Sequence, residues 1–227
     1  MAKLKVVGTG TVSSMPDFAS INFVISSNAG EAANAAGEAS VIASNLVNSV
    51  KNHFDGAKII NGPVSVKSVN KEVVDIKSGK RTGFEFSHFC ATVYLSAKVN
   101  VNVEEIVSFL QEDILSDKAI SFRVRFELSP ETIKKMKRTA KKLSYEDAES
   151  KANVYKEISG LSSHCLLEIQ EGNSQGFYGC SETVRKASAD TKKLTEEQIE
   201  ALMYSLRPEP IPITESVTCI FELYSTL

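Results

Sequence analysis

Apolar and polar positions alternate from the start of the chain. Leu4, Val6, Gly8, Gly10 and Val12 share one parity, and Lys3, Lys5, Thr9 and Thr11 the other. That period of two is the signature of a strand with one buried face. In "SSMPD" (residues 13–17) Pro16 restricts φ and Asp17 can bond the local backbone, so a turn is expected. Ala19, Ile21, Phe23 and Ile25 then alternate with Ser20, Asn22 and Val24. Together these stretches predict an N-terminal β-hairpin. Glycine inside a strand marks a bulge or a place where another element comes close, and here both glycines sit on the apolar parity.

The period then changes to that of a helix. Ala32, Ala35, Ala36, Ala39, Ile42, Ala43, Leu46 and Val50 predict an amphipathic helix over residues 29–53. Its small alanine face suits close packing on the glycine-bearing strand. Val64, Val66, Val73 and Val74 predict a strand, "DIKSGKRTG" a polar hairpin loop, and "FEFSHFCATVYLSAKV" a second strand with Phe89, Ala91, Val93, Leu95, Ala97 and Val99 on one face. Asn102 with Glu105 three residues on resembles a capping box and opens a helix striped by Val103, Ile106, Val107, Leu110 and Ile114.

Ile120, Phe122, Val124, Phe126 and Leu128 alternate as a strand. Ser129-Pro130 starts a third helix, which Ile133, Met136, Ala140, Leu143, Ala148, Ala152 and Tyr155 carry to Gly160, a natural stop. "HCLLEIQE" and the Val217, Cys219, Phe221, Leu223 alternation give two further strands. Between them lies a polar stretch from about residue 172 to 212, with one helical candidate, "TEEQIEALMYSL", ended by "RPEPIP". The pattern predicts one α+β domain over residues 1–227, a mixed, largely antiparallel sheet with the N-terminal hairpin and packed helices. The 172–212 stretch is read as an excursion from it. Its helical stripe is Ile199, Leu202, Met203 and Leu206; Ile199, Leu202 and Met203 need burying, with another subunit the expected cover, and this excursion and the strand edges are the expected contact surfaces.

Composition narrows the function classes. The 227 residues are 42% hydrophobic and 24% charged with a formal net charge of −2, an ordinary soluble balance with no global field toward nucleic acid or anionic membrane. No apolar run is long enough for a membrane span, so no membrane insertion is expected. "MAKLKVVG" lacks the apolar region of an export signal. The protein is therefore expected in the cytoplasm, or in the periplasm or envelope if a signal was removed. The G-x-G of Gly8 and Gly10 lacks the third glycine and the following helix of a dinucleotide fingerprint, so a phosphate loop is excluded.

Four stretches carry a family resemblance: "VVGTGTVSSMPDFASINFVIS", "GFEFSHFCATVYLSAKV", "SPETIKKMKRTAKKLSYEDAESKANVYKEISG" and "SVTCIFEL". They resemble the SIMPL-domain family of bacterial envelope proteins, which includes periplasmic immunogenic proteins. The resemblance covers nearly the whole chain and fits least well over residues 172–210. It implies an α+β fold and, in some members, ring-like self-assembly. It carries over no catalytic residue. Gly8, Gly10, Pro16 and Asp17 are its signature positions, read as structural.

Candidate chemistry is sparse. Cys90, Cys165, Cys180 and Cys219 form no C-x-x-C pair, which argues against a zinc ribbon or thioredoxin-like site. Cys90, Cys165 and Cys219 lie in apolar segments, where a buried thiol acts as a small hydrophobe; a disulfide is open in an oxidising compartment. His88 and Cys90 share a strand face and could ligate zinc or copper, but the only other obvious donors of these types are His53 and the His164-Cys165 pair. Lys134, Lys135, Lys137, Arg138, Lys141 and Lys142 crowd the third helix and read as a solvated face, since no aromatic stacking set is interleaved. No G-x-S-x-G occurs. The expectation is a non-enzymatic protein without cofactor or bound metal, acting by homo-oligomerisation or partner binding and not on nucleic acid. The alternative is an enzyme or metal-binding protein with a site near His88 and Cys90.

Overall fold

The structure, a computed structural model, describes residues 2–74, 81–114, 117–172, 182–186 and 195–225. In chain order its elements are β1 (Ala2–Ser14), β2 (Phe18–Ala29), α1 (Ala32–His53), β3 (Lys58–Val74), β4 (Arg81–Asn100) and α2 (Val103–Phe109), the last followed by a π-helical turn at Leu110–Ile114. Then come β5 (Ile120–Glu127), α3 (Pro130–Ile158), β6 (Ser163–Glu171), β7 (Glu182–Lys186), α4 (Glu196–Ser205) and β8 (Ile211–Tyr224). The class is α+β, as the changes of period predict.

The strands form two sheets, one of order β1-β8-β6 and one of order β3-β4-β2-β5-β7. The expected N-terminal hairpin is not formed. β1 pairs antiparallel with β8, from Ala2 opposite Leu223 to Ser14 opposite Ile211, while β2 pairs antiparallel with β4 in the other sheet. Tight hairpins favour turns with positive φ. Pro16 is confined to negative φ, and among the described residues only Gly56, Gly83 and Gly160 have positive φ.

The chain divides into two compact units. One comprises Met1–Asp17, Glu127–Cys180 and Pro208–Leu227; the other comprises Phe18–Phe126 and Ser181–Arg207.

In the first unit α3 covers one face of the three-stranded sheet. Its start is set by Ser129, whose hydroxyl accepts the Thr132 N–H at 3.1 Å, and by Pro130 in the first turn. Met136, Ala140, Ser144, Ala148 and Ala152, every fourth residue, form its buried row. Ala148 and Ala152 pack with Val6, Val217, Cys219 and Phe221, and Met136 packs with Leu128, Ile211 and Ile213. Leu143 and Tyr155, expected on this stripe, are exposed. Opposite Gly8 and Gly10 the row is made of the small residues Ala140, Ser144 and Ala148 because the contact there is too close for large ones.

The second unit runs β2-α1-β3-β4-α2-β5, with β4 inserted between β3 and β2, a split β-α-β arrangement. Ala35, Ala39, Leu46 and Val50 of α1 are buried. Phe23, Phe54 and Phe109 meet edge to face, with centroids 5.1 Å apart for Phe54–Phe109 and 6.2 Å for Phe23–Phe109. Asn102 caps α2 as expected, accepting the Glu105 N–H. Thr195 and Gln198 form a reciprocal capping box on α4. Leu202 and Leu206 of that helical segment are fully buried within the chain. Of the residues expected to need a second subunit as cover, Leu202 is covered by its own chain, while Ile199 and Met203 are half-buried. Residues 173–181 and 187–194 of the excursion lie outside the described residues, as does the 75–80 loop.

Candidate functional site

The signature positions converge on the seam between β1 and α3. A Cβ at Gly8 would collide with the Ser144 carbonyl and lie 2.7 Å from the Ala148 nitrogen; one at Gly10 would collide with the Ala140 carbonyl and lie 2.6 Å from the Ser144 nitrogen. These are backbone atoms and cannot swing aside. The glycines are therefore packing residues, but the helix they meet is α3 and not the alanine-rich α1 that the sequence suggested.

Asp17 does more than form a turn. Its N–H donates to the Glu127 carbonyl at 3.0 Å, and its carboxylate accepts the Ser129 N–H at 2.6 Å. That backbone hydrogen bond at the mouth of α3 holds the Asp17 carboxyl below its ordinary pKa, helped by the Thr132 and Ser129 hydroxyls and opposed by partial burial.

Further along α3 a second link closes the outer edge of β1. Asp147 accepts the Thr9 N–H at 2.8 Å, and Lys151 donates to the Val7 carbonyl at 3.0 Å and to Asp147 at 2.7 Å. Lys151 and then the Thr9 N–H depress the Asp147 pKa. The interior side of the seam is apolar, and burial pushes the Tyr145 hydroxyl and the Cys219 thiol up, with the Glu149 charge adding to both. These contacts tie β1 to α3 along its length.

The proposed metal pair fares as follows. His88 Nδ1 lies 3.0 Å from Ser87 Oγ, and the Cys90 thiol has a long contact of 3.9 Å to the Ala91 carbonyl. His53 sits beside Asp113 and Glu112, at 3.5 and 3.7 Å, and against the Phe109 ring. His164 packs on Phe221. Among the described residues no three His, Cys, Asp or Glu side chains are grouped to hold an ion. Cys90, Cys165 and Cys219 are free thiols, and Cys180 lies outside the described residues. On α3, Lys141 is ion-paired with Glu171 at 2.8 Å and Lys142 with Glu146 at 3.6 Å.

The candidate surface lies instead on β3 and β4. β2 pairs with β4 only from Phe89 onward, so from Val69 and His88 outward, among the described residues, β3 and β4 pair only with each other. They form an arm, laced by Arg81–Glu72 at 2.6 Å and Lys71–Glu85 at 4.0 Å. Ser87 is skipped between the Val69–His88 and Asn70–Phe86 pairs. This bulge turns Phe84 and Phe86 onto the face shared by Phe89, whose ring lies 4.9 Å from that of Phe86. Val64 and Val66 extend the same face. Phe84 is 73% exposed, Phe86 51%, Val64 44% and Val66 38%.

A groove of about 440 Å³ runs along β3, lined mostly from the opposite face by Ser65, Lys67, Val69, Cys90, Thr92 and Tyr94, with Ser68 and Asn70 also lining it. Residues 58–100 hold seven basic and three acidic residues in a chain of net charge −2. Sequence reading missed this surface because alternation alone does not reveal a bulge. The exposed "FEF" was the available signal.

Among the described residues no helix is long and apolar enough to cross a membrane. No curated protein matches the chain. One family model, SIMPL, described as a protein of unknown function (DUF541), matches residues 4–221. With that match spanning almost the whole sequence, and with the signature glycines and Asp17 locking β1 to α3, the chain belongs to the SIMPL family.

Proposed function

We propose that this protein acts by associating with copies of itself and not by turnover. The observation that carries the reading is the β3–β4 arm. Its Phe84, Phe86, Val64 and Val66 expose a row of large apolar side chains on one face. Soluble proteins rarely leave a contiguous apolar patch open without a partner for it. The resemblance to envelope proteins favours the bacterial envelope as the compartment, which fractionation of cells carrying the native gene tests.

Light scattering of the full chain at micromolar concentration tests the association. A mass above that of one chain, reduced to it by Phe84→Ser with Phe86→Ser, supports the reading. A monomer at every concentration would refute it. Removing residues 174–208 is a poor test, because it deletes the buried Leu202 and Leu206.

A second reading, small-molecule binding, has one observation in its favour: the groove beside Cys90. Protection of Cys90 from thiol reagents by a ligand would support it.

A further inference from the structure

Four strands border the two sheets: β1 and β6 in one, β3 and β7 in the other. An open edge presents unpaired N–H and C=O groups that can template another strand. The edges differ. On β1, Val7 and Thr9 are bonded to Lys151 and Asp147, and Lys3 and Lys5 are exposed. β7 is five residues long. β3 and β6 are longer, and both carry exposed apolar side chains: Ile60, Val64 and Val66 on β3, and Leu166, Leu167 and Ile169 on β6.

Their net charges are opposite. β3 bears Lys58, Lys67 and Lys71 against Glu72, with Lys71 ion-paired to Glu85 and Glu72 to Arg81, while β6 bears Glu168 and Glu171, the latter ion-paired to Lys141. Pairing β3 with its own copy would bring together two strands with Lys67 and Lys71 on the same face. Pairing it with β6 does the reverse.

We infer that β3 of one copy adds antiparallel to the free edge of β6 of another, deepening the self-association reading on which this rests. The faces select the register. In β6, Ile169 stands opposite Cys219 and so lies on the α3 side of its sheet, while Glu168, opposite Ile220, lies on the other. In β3, Val66 lies on the face of buried Ala91, and Lys67 on that of Cys90. Setting Val66 against Ile169 places Lys67 against Glu168 and Ser65 against Gln170, matching apolar to apolar and cation to anion. The bulge between Leu166 and Glu168 leaves Leu167 as the extra residue.

The two surfaces are different patches, so the contact is heterologous. It cannot end at a dimer unless the geometry closes on itself, and it builds assemblies of more than two copies.

Charge exchange tests the pairing, with sedimentation velocity as the readout and unchanged thermal melts as the control for folding. Lys67→Glu or Glu168→Lys alone replaces an attractive cross-strand pair with a repulsive one. Each should weaken association about tenfold. Both changes in one chain should restore it. Ser65→Cys mixed with Gln170→Cys should also give an intermolecular disulfide, because facing residues lie within reach of that bond. Wild-type assembly indifferent to both charge changes, with no cross-link, would overturn this pairing and leave self-association standing. A wild-type monomer at all concentrations would overturn both.

Discussion

On the outer edge of β1, Thr9 donates its backbone N–H to an Asp147 carboxylate oxygen at 2.8 Å. A side chain on α3 thus occupies a backbone position that a neighbouring strand would otherwise fill. Lys151, one turn further on, does the same for the Val7 carbonyl.

Asp147→Asn should therefore lower stability, by about 1 kcal/mol for a charge-assisted bond at a partly exposed site. The sign with pH follows from the depressed pKa of Asp147. Its contribution is present above the unfolded-state pKa and is lost as pH falls through the lower folded value. Thermal melts of wild type and variant should differ at pH 7 and converge in acid. A constant gap across that range would show that the carboxylate charge is not what matters.

Asp17→Ala removes the acceptor for Ser129 at the entry to α3. The loss should be about 1 kcal/mol, the usual worth of a capping interaction. Its pKa is also lowered in the fold, so this difference too should fade as the carboxyl is protonated. Denaturant unfolding at two pH values measures it.

Gly8→Ala and Gly10→Ala each drive a methyl group into the backbone of α3. Overpacking against side chains costs about 1–3 kcal/mol, and here the obstacle is main chain, so the upper end or beyond is expected for each. Gly37, with open space around its added Cβ, is the internal control: Gly37→Ala should be neutral or stabilising, since alanine favours a helix interior over glycine. Melting temperatures that fail to separate the three variants would count against the close approach.

Leu202→Ala tests whether α4 belongs to the core. The side chain is fully buried, and such truncations typically cost about 2–5 kcal/mol. A change within experimental error would mean that α4 is not held as described.

Local pattern carried much of the fold and little of its pairing. The parity of Leu4 to Val12 announced a strand, and the glycines on that parity announced a close neighbour. Which neighbour was not legible, because α1 and α3 both offer alanines, and only tertiary contact selects Ala140 and Ala148. Ser144 is polar and so dropped out of the apolar stripe, although it sits in the middle of the buried row. The β1–β8 pairing has no local signature either, and two alternating runs around a proline imitate a hairpin. The arm was legible as a hairpin, but the skip at Ser87 that gathers Phe84, Phe86 and Phe89 on one side was not.

The pairing of Ala2 with Leu223 bears on how the molecule is made. β1 leaves the ribosome before its mate, which follows only after roughly two hundred further residues. Closing a loop of that size in an unstructured chain costs about 5 kcal/mol by the logarithmic law. The β2–β5 segment is contiguous and can order earlier, which shortens the effective loop. β1 meanwhile waits without the strand it pairs with. A nascent chain arrested before β8 should accordingly show protected amides in β2 and β4 and exchanging ones in β1, a vectorial order of assembly in which β1 is made before β2 and β4 but locked after them.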